Sequence, residues 1–297
     1  MATALEVPRK ISWAGFAWFG LLVLACYAPV LRALVINWNT DPDMGHGFFV
    51  PLIAGFIVWR HREELLAVKP RPCWWGLGVV LLGGVVLLAA TMGVELFLSR
   101  FAFLLTLVGI VWLLGGTLLL KKMAFPLALL FFMIPIPVIL YNRITFPLQI
   151  LASKLAAGAL SVLGIPVMRE GNILELPSQR LSVVEACSGI RSLLSLTFLS
   201  LVYGYFFEKK AWIRWILFLA TIPIAIVANG SRVTFTGILS EIKPEYAEGF
   251  FHESTGWVIF MVALFILVLF HQVIRRTTRF FPGNSGDLGK SGDQSGR

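Results

Sequence analysis

Charged side chains are scarce in this chain of 297 residues: Asp, Glu, Lys and Arg make up 14% of it, whereas 58% is apolar. The mean hydropathy is +0.82. Soluble domains carry about 25% charged residues, so this composition excludes a soluble globular protein. Scarce charge combined with long apolar runs is typical of a membrane protein.

Several motifs that carry chemistry in other protein classes are also missing. No group of His and Cys residues has the spacing of a zinc or haem site, and there is no glycine-rich phosphate loop. We therefore expect no metal and no cofactor. We also expect no internal repeat, no separate soluble domain and no cleavable signal peptide, because the first apolar run is long and lacks a small-residue cleavage site.

Eight apolar stretches are candidates for crossing a hydrocarbon core of roughly 30 Å. They lie near residues 14–36, 48–60, 74–92, 101–120, 123–140, 188–207, 211–229 and 255–274. The sequence therefore predicts an all-α polytopic membrane protein, with an integral membrane domain over 1–280. The Gly-, Ser- and Asp-rich segment 281–297 is expected to be a disordered cytoplasmic tail.

The distribution of Lys and Arg predicts the orientation, since these residues are retained on the cytoplasmic side during insertion. With a cytoplasmic amino terminus, the inner segments hold 16 of the 25 basic residues. The net charge of +9 is then a consequence of topology, and nucleic-acid binding is not needed to explain it. Both termini are predicted to be cytoplasmic.

Residues 144–164 form one further helical stretch, with Gln149, Ser153, Lys154 and Ser161 among apolar residues. If this stretch crossed the membrane, every later segment would be inverted. It is therefore predicted to be an amphipathic helix on the outer face. The segment from Pro166 to Ala186 has short β-type runs, which predict a small extracytoplasmic cap of strands.

Only three cysteines are present. Cys26 falls within the first predicted span and Cys73 at the inner end of the third, whereas Cys187 falls at the outer surface, so they cannot readily pair. An unpaired thiol facing an oxidising compartment more often has a chemical role. Ser188 and Gly189 resemble a helix start, where backbone N–H groups stabilise a thiolate.

Two further polar sites are predicted on the same outer face. Arg232 follows Asn229-Gly230-Ser231 at the end of the seventh span, in what we interpret as a glycine-containing break of the helix. A guanidinium at membrane depth normally has a partner or a function, although an anchor that reaches the headgroups is the simpler reading. His252 precedes the eighth span, with Ser254 or Thr255 as the expected helix cap. Thiol, guanidinium and imidazole together are the parts of a cysteine nucleophile site.

These blocks resemble the exosortase family. The resemblance rests on Glu-Ala-Cys-Ser-Gly-Ile-Arg (185–191), Ala-Asn-Gly-Ser-Arg (228–232), His-Glu-Ser-Thr-Gly-Trp (252–257), Gly-His-Gly-Phe-Phe-Val-Pro-Leu (45–52) and Ile-Pro-Ile-Pro (134–137). It covers most of residues 40–275. It implies a cysteine peptidase or transpeptidase of the bacterial inner membrane, with Cys187 as the nucleophile, Arg232 as the essential arginine and His252 as the histidine.

The resemblance also implies the partners: exported proteins that end in a Pro-Glu-Pro motif, a transmembrane helix and a basic tail, usually in bacteria that make exopolysaccharide. The active site is then expected to face the periplasm. Membrane lipid surrounds the chain, and its oligomeric state stays open. Transfer to an amine and hydrolysis by water are not separated by the sequence.

Five other residues are candidates for supporting or substrate-binding roles, each with a structural alternative. Arg191 could hold an acidic substrate residue, lower the thiol pKa or simply be a cation near the helix end. Glu185 and Glu253 could orient a basic partner or be solvated loop carboxylates. Asn229 belongs to the Arg232 block, and His46 could line the path of the substrate or stabilise a turn.

Two other functions remain open at this stage. A transporter or flippase for a polyisoprenoid or polysaccharide precursor would also be a proline-broken bundle, but it should carry ionisable groups near mid-membrane. A membrane acyltransferase that uses Cys187 would share the thiol dependence and act on lipid.

Overall fold

The protein is described by a computed structural model, which covers residues 13–183, 189–243, 245 and 249–280. The predicted tail at 281–297 lies outside these described residues. The chain divides into two compact units, Met1–Phe146 and Pro147–Arg297.

The first unit is helical in the part that the structure describes. It contains α1 (Trp13–Thr40), α2 (Phe49–Arg60), α3 (Arg62–Leu66), α4 (Trp75–Met92) and α5 (Leu96–Leu129). Short 3₁₀ segments, Pro42–Phe48 and Leu130–Met133, follow α1 and α5. Helix α6 (Val138–Val162) begins in this unit and continues into the second.

Helices α4 and α5 approach closely because glycines line their contact. A Cβ placed on Gly109 of α5 would lie 2.7 Å from Val80 Cγ2, and Gly76 of α4 lies against the backbone of Leu113. Small residues allow the backbones of membrane helices to come together, where dispersion rather than the hydrophobic effect drives packing.

The interruption of α5 lies at Gly116, which has φ 81° and ψ −177°. The carbonyl oxygen of Arg71 occupies the space where a side chain at Gly116 would be. The sequence predicted the separation of the fourth and fifth spans at Lys121 and Lys122, and this placement is wrong because the helix continues through both lysines.

The turn after α1 is fixed by its polar groups. Asp41 caps the 3₁₀ segment by accepting a hydrogen bond from the Asp43 N–H at 2.9 Å, and the hydroxyl of Tyr141 donates to Asp43 Oδ2 at 2.7 Å. The indole of Trp38 donates to the carbonyl of Met133 at 2.9 Å. These bonds join the end of α1 to the 3₁₀ segment that precedes the Ile134–Pro137 break.

The second unit contains a three-stranded antiparallel sheet and three long helices in its described part. The strands β1 (Met168–Glu170), β2 (Ile173–Glu175) and β3 (Arg180–Ser182) pair in sequential order. The helices are α7 (Ile190–Phe207), α8 (Ala211–Ile242) and α9 (Gly249–Phe280). The predicted strands between Pro166 and Ala186 are thereby confirmed.

The sheet packs on α6 and on the carboxyl-terminal part of α8. The buried core of this cap consists of Ala152, Ala156, Leu160, Leu174, Leu176, Leu181, Val183 and Val233. Ser178, in the turn before β3, donates its N–H and its hydroxyl to Glu241 Oε1 of α8 at 3.1 and 2.6 Å. The cap is thus attached directly to α8.

Seven helices in the described part of the chain are long and apolar enough to cross a membrane. They confirm a multi-pass, all-α membrane protein. Three details differ from the eight stretches read from the sequence. Helix α2 has only 12 residues, the stretches 101–120 and 123–140 fall largely in one candidate span (Leu96–Met133), and the 25-residue α6, predicted to be an interfacial helix, meets the length and apolarity of a span.

Helix α8 runs without interruption through the Asn229-Gly230-Ser231 block, so the predicted break there is wrong. Gly230 has a packing role instead, since a Cβ on it would lie 2.9 Å from Leu155 Cβ of α6. With 32 residues, α8 is about 48 Å long at 1.5 Å per residue and exceeds the hydrocarbon thickness.

Candidate functional site

The predicted nucleophile, Cys187, and the neighbouring Glu185 lie outside the described residues. The backbone at His252 and Glu253 belongs to the first turns of α9, but the side chains of both lie outside the described part of the structure. The expected cap role of Ser254 or Thr255 is wrong, because α9 already begins at Gly249. The Thr255 hydroxyl instead donates to the Phe251 carbonyl at 2.7 Å.

Helix α7 begins within the Cys187 block, at Ile190. Gly189 is its cap residue with φ 73°, a left-handed conformation that glycine adopts without strain, and Ile190 is buried. This confirms the predicted helix start. The first N–H groups of a helix have no intrahelical acceptor and carry partial positive charge, so this end of α7 favours an anion. Arg191 is exposed in the first turn.

The side-chain amide of Asn229 lies against Gly189. A Cβ placed on Gly189 would be 2.6 Å from Asn229 Nδ2. Asn229 is only 4% exposed, and neither of its amide atoms has a hydrogen-bond partner among the described residues. An unsatisfied buried amide costs about 1–3 kcal/mol. Asn229 therefore does not stabilise the described part of the fold through hydrogen bonds, and its amide is available to a ligand or a reacting group.

The guanidinium of Arg232 crosses from α8 to the backbone of α9. A Cβ on Gly256 would lie 2.9 Å from Arg232 Cζ and 3.1 Å from its Nε. Gly256 follows His252 by four residues, which is about one helical turn. Arg232 is half-buried, so its charge acts where solvent screening is reduced.

The structure therefore brings one motif block, residues 228–232, into contact with described residues of the other two blocks, in the first turns of α7 and α9. The Asn229 amide lies against Gly189, and the Arg232 guanidinium lies against Gly256, one helical turn after His252. Within the described residues, an N-terminal helix end, a buried amide and a guanidinium occupy one end of α7, α8 and α9. These are groups that bind and stabilise negative charge.

His46 lies in the first unit, and its surroundings favour the structural interpretation. Its Nε2 is 3.1 Å from the Phe132 carbonyl oxygen. Burial lowers the pKa of the imidazole, and the hydrogen bonds to the Phe132 and Asp43 backbone offset this only in part. A largely neutral imidazole that joins two 3₁₀ segments stabilises the turn.

The sequence did not predict a second polar cluster at the other end of α7–α9. The Tyr203 hydroxyl is 2.8 Å from His271 Nδ1, and His271 Nε2 is 3.0 Å from Glu208 Oε2. Glu208 Oε1 also accepts the Lys210 N–H at 2.8 Å. These residues are separated by 63 and 68 positions along the chain, so no local motif could have indicated the cluster.

Among the described residues, no group of three or more His, Cys, Asp and Glu side chains could hold a metal ion. Cys26 and Cys73 are both free thiols in this structure.

Comparison with known protein families gives a match over most of the chain. The model of the family described as Transmembrane exosortase (Exosortase_EpsH) matches residues 38–269. Searches of the curated proteins and of the solved structures gave no match. The matched region includes all three motif blocks and covers well over half of the chain. The chain belongs to the transmembrane exosortase family.

Proposed function

We propose that this protein is a membrane cysteine peptidase or transpeptidase that cleaves exported proteins at a carboxy-terminal Pro-Glu-Pro sorting signal. In this proposal the reaction occurs at the periplasmic face of a bacterial inner membrane, and both termini are cytoplasmic. The observation that carries the proposal is the contact of Arg232 with Gly256, because it brings the guanidinium to the helix turn that follows His252.

Arg232 is assigned to charge stabilisation. Its side chain spans from α8 to α9 and is half-buried. A guanidinium in such a position forms strong charge-assisted hydrogen bonds with a thiolate or an oxyanion. The family membership supports this role, since the Arg232 block lies within the matched residues.

Asn229 is assigned to the oxyanion site as a hydrogen-bond donor. Its amide is buried against Gly189, two residues after Cys187, and has no partner within the described residues. A prepositioned side-chain amide costs no reorganisation when negative charge develops on the scissile carbonyl oxygen. The N-terminal N–H groups of α7 support the same charge.

The reaction then proceeds through a thioester. The Cys187 thiolate attacks the scissile carbonyl carbon, and the tetrahedral intermediate collapses as His252 donates a proton to the departing amine. The imidazole next accepts a proton from the incoming nucleophile, which releases Cys187. An amine as nucleophile gives transfer, whereas water gives hydrolysis. Docking of the substrate's own transmembrane helix supplies orientation.

The proposal is tested by co-expression with a reporter that ends in a Pro-Glu-Pro motif, a transmembrane helix and a basic tail. Loss of the reporter's carboxy-terminal segment is measured for the unaltered chain, Cys187→Ser, Cys187→Ala and the matched control Cys73→Ser. We expect removal by the unaltered chain and by Cys73→Ser only. Equal removal by all four proteins would show that Cys187 is not the nucleophile.

A second reporter, with Gln in place of the Glu of the motif, tests the sorting signal itself. Reduced removal of this segment supports recognition of the acidic residue. If both reporters are correctly inserted and neither is cleaved by any variant, the proposed substrate class is wrong.

A further inference from the structure

A cavity of about 400 Å³ lies between the ends of α7 and α9 that are remote from Arg232. It is lined by Tyr203, Phe207, His271, Gln272, Arg275 and Arg276. His271 lies 15 residues after Gly256 on α9, which corresponds to about 22 Å along the helix. The cavity is therefore separate from the proposed catalytic end.

The position of the cavity matches the headgroup level of a bilayer. The candidate span of α7 ends at Phe207, and that of α9 ends at Thr278. The lining residues occupy the last turns of both spans. A pocket at this depth borders apolar chains on one side and the charged membrane surface on the other.

The electrostatics of the cavity are positive. Arg275 and Arg276 are exposed, and neither forms an ion pair with a carboxylate in the described part of the chain. The nearby carboxylate, Glu208, is buried and already accepts hydrogen bonds from His271 and from the Lys210 N–H. Two guanidiniums thus line the cavity, and neither has a carboxylate ion-pair partner among the described residues.

The aromatic wall gives the cavity an apolar side next to its charges. The rings of Tyr203 and Phe207 are 4.9 Å apart between centroids, and Phe207 is 62% exposed. The Tyr203–His271–Glu208 hydrogen bonds hold this wall in place across α7 and α9. A free anion would gain nothing from the exposed ring, whereas the glycerol and first acyl carbons of a lipid would cover it.

We propose that this cavity binds the phosphate of an anionic phospholipid. Arg275 and Arg276 hold the phosphate oxygens, since a guanidinium matches phosphate geometry bidentately. Tyr203 and Phe207 pack against the glycerol region. Basic pockets between transmembrane helices at the membrane surface are typical sites for anionic headgroups. The site is independent of the proposed peptidase activity.

The test uses the purified full-length chain in detergent, mixed with equal amounts of phosphatidylglycerol and phosphatidylcholine. Native mass spectrometry measures the ratio of the two lipid adducts. We expect phosphatidylglycerol to be retained preferentially by the unaltered chain. In Arg275→Gln/Arg276→Gln this preference should fall about 30-fold, because each of the two basic side chains contributes about 1 kcal/mol near a membrane surface.

The matched control is Lys209→Gln/Lys210→Gln, which removes the same charge from two exposed residues near the same helix ends but outside the cavity lining. This variant should keep the preference. Arg275→Lys/Arg276→Lys keeps the charge and should show an intermediate ratio. This variant also provides a test if the Gln variant does not fold.

Three results would overturn the proposal. An unaltered chain that retains both lipids equally has no headgroup site. An equal loss of preference in the Lys209/Lys210 and Arg275/Arg276 variants would mean that the lipid preference comes from general surface charge and not from the cavity. Full displacement of phosphatidylglycerol by millimolar inorganic phosphate would assign the cavity to a free anion.

Discussion

The guanidinium of Arg232 packs on the backbone of Gly256, so that α8 and α9 meet through a side chain on one helix and the absence of a side chain on the other. Only glycine leaves room for this approach. The contact fixes the position of the Arg232 charge relative to the turn that carries His252.

Gly256→Ala should therefore reduce cleavage without unfolding the protein. The added methyl group would lie 2.9 Å from Arg232 Cζ and displace it. A shift of about 1 Å in a catalytic group can cost up to 100-fold in rate, so we expect a loss of about 10- to 100-fold in reporter cleavage. Gly158→Ala on α6 is the control, since nothing lies within 4 Å of a Cβ there. Equal cleavage by both variants would show that the exact position of Arg232 does not matter for catalysis.

Gly189→Ala should affect both stability and activity. The φ of 73° disfavours alanine by about 1–2 kcal/mol, and the new Cβ would also displace the Asn229 amide. Gly164→Ala, with φ 80° and nothing within 4 Å, incurs the conformational cost alone. Thermal unfolding in detergent should show similar shifts for both variants, whereas cleavage should fall only in Gly189→Ala. A parallel loss of cleavage in the two proteins would contradict the role given to Asn229.

Asn229→Ala tests the oxyanion assignment directly. Removal of one oxyanion donor typically costs about 10²–10³ in rate. Because the amide has no partner among the described residues, its loss should leave the melting temperature unchanged or slightly raised. Asn172→Ala is the control, since that amide donates to Gln149 Oε1 at 3.1 Å and should matter for stability instead. A destabilised but fully active Asn229→Ala protein would assign this residue to structure.

The Glu208 carboxylate should make stability depend on pH. Burial raises its pKa, but hydrogen bonds from the Lys210 and Lys209 N–H groups and from His271 outweigh burial and hold the pKa below its ordinary value of 4.5. A folded-state pKa below the unfolded one gives stability that is complete above pH 4.5 and is lost as pH falls through the lower folded value.

We therefore expect Glu208→Gln to lower the melting temperature at pH 7, corresponding to about 1–3 kcal/mol for disrupted buried hydrogen bonds. Its deficit relative to the unaltered chain should shrink as pH falls below 4.5. Calorimetry across pH 7 to 4 measures both effects. The exposed Glu63→Gln should match the unaltered chain throughout, and a constant Glu208→Gln deficit at every pH would contradict the linkage.

The helices and the cap were predictable because their signals are local. Apolar runs of sufficient length indicated the spans, and the Leu181-Ser182-Val183 run indicated a strand where β3 ends. Gly189 indicated the start of α7. The predicted break at Lys121 was wrong because charged residues were taken to end a helix that in fact continues through them. The predicted break at Gly230 was wrong because this glycine provides a close packing contact with Leu155 and does not interrupt α8.

The contacts of the candidate site could not be predicted, since they depend on tertiary packing. Arg232 and Gly256 were both visible as motif members, but only the packing of α8 on α9 brings them together. The Glu208–His271 pair is separated by 63 positions and carries no sequence motif. The sequence left the role of His46 open between the substrate path and a turn, and its contact with the Phe132 carbonyl could not be predicted because that contact joins two distant 3₁₀ segments.

The unbroken course of α8 through Arg232 fixes the spacing between the candidate site and the cap. Val233 belongs to the cap core, and Glu241 holds the turn before β3, so the cap and the guanidinium are carried by the same rigid rod. A residue inserted after Val233 would turn Glu241 by about 100° and move it by about 1.5 Å along the axis. The position of the cap relative to the Arg232 guanidinium is therefore set by helical register.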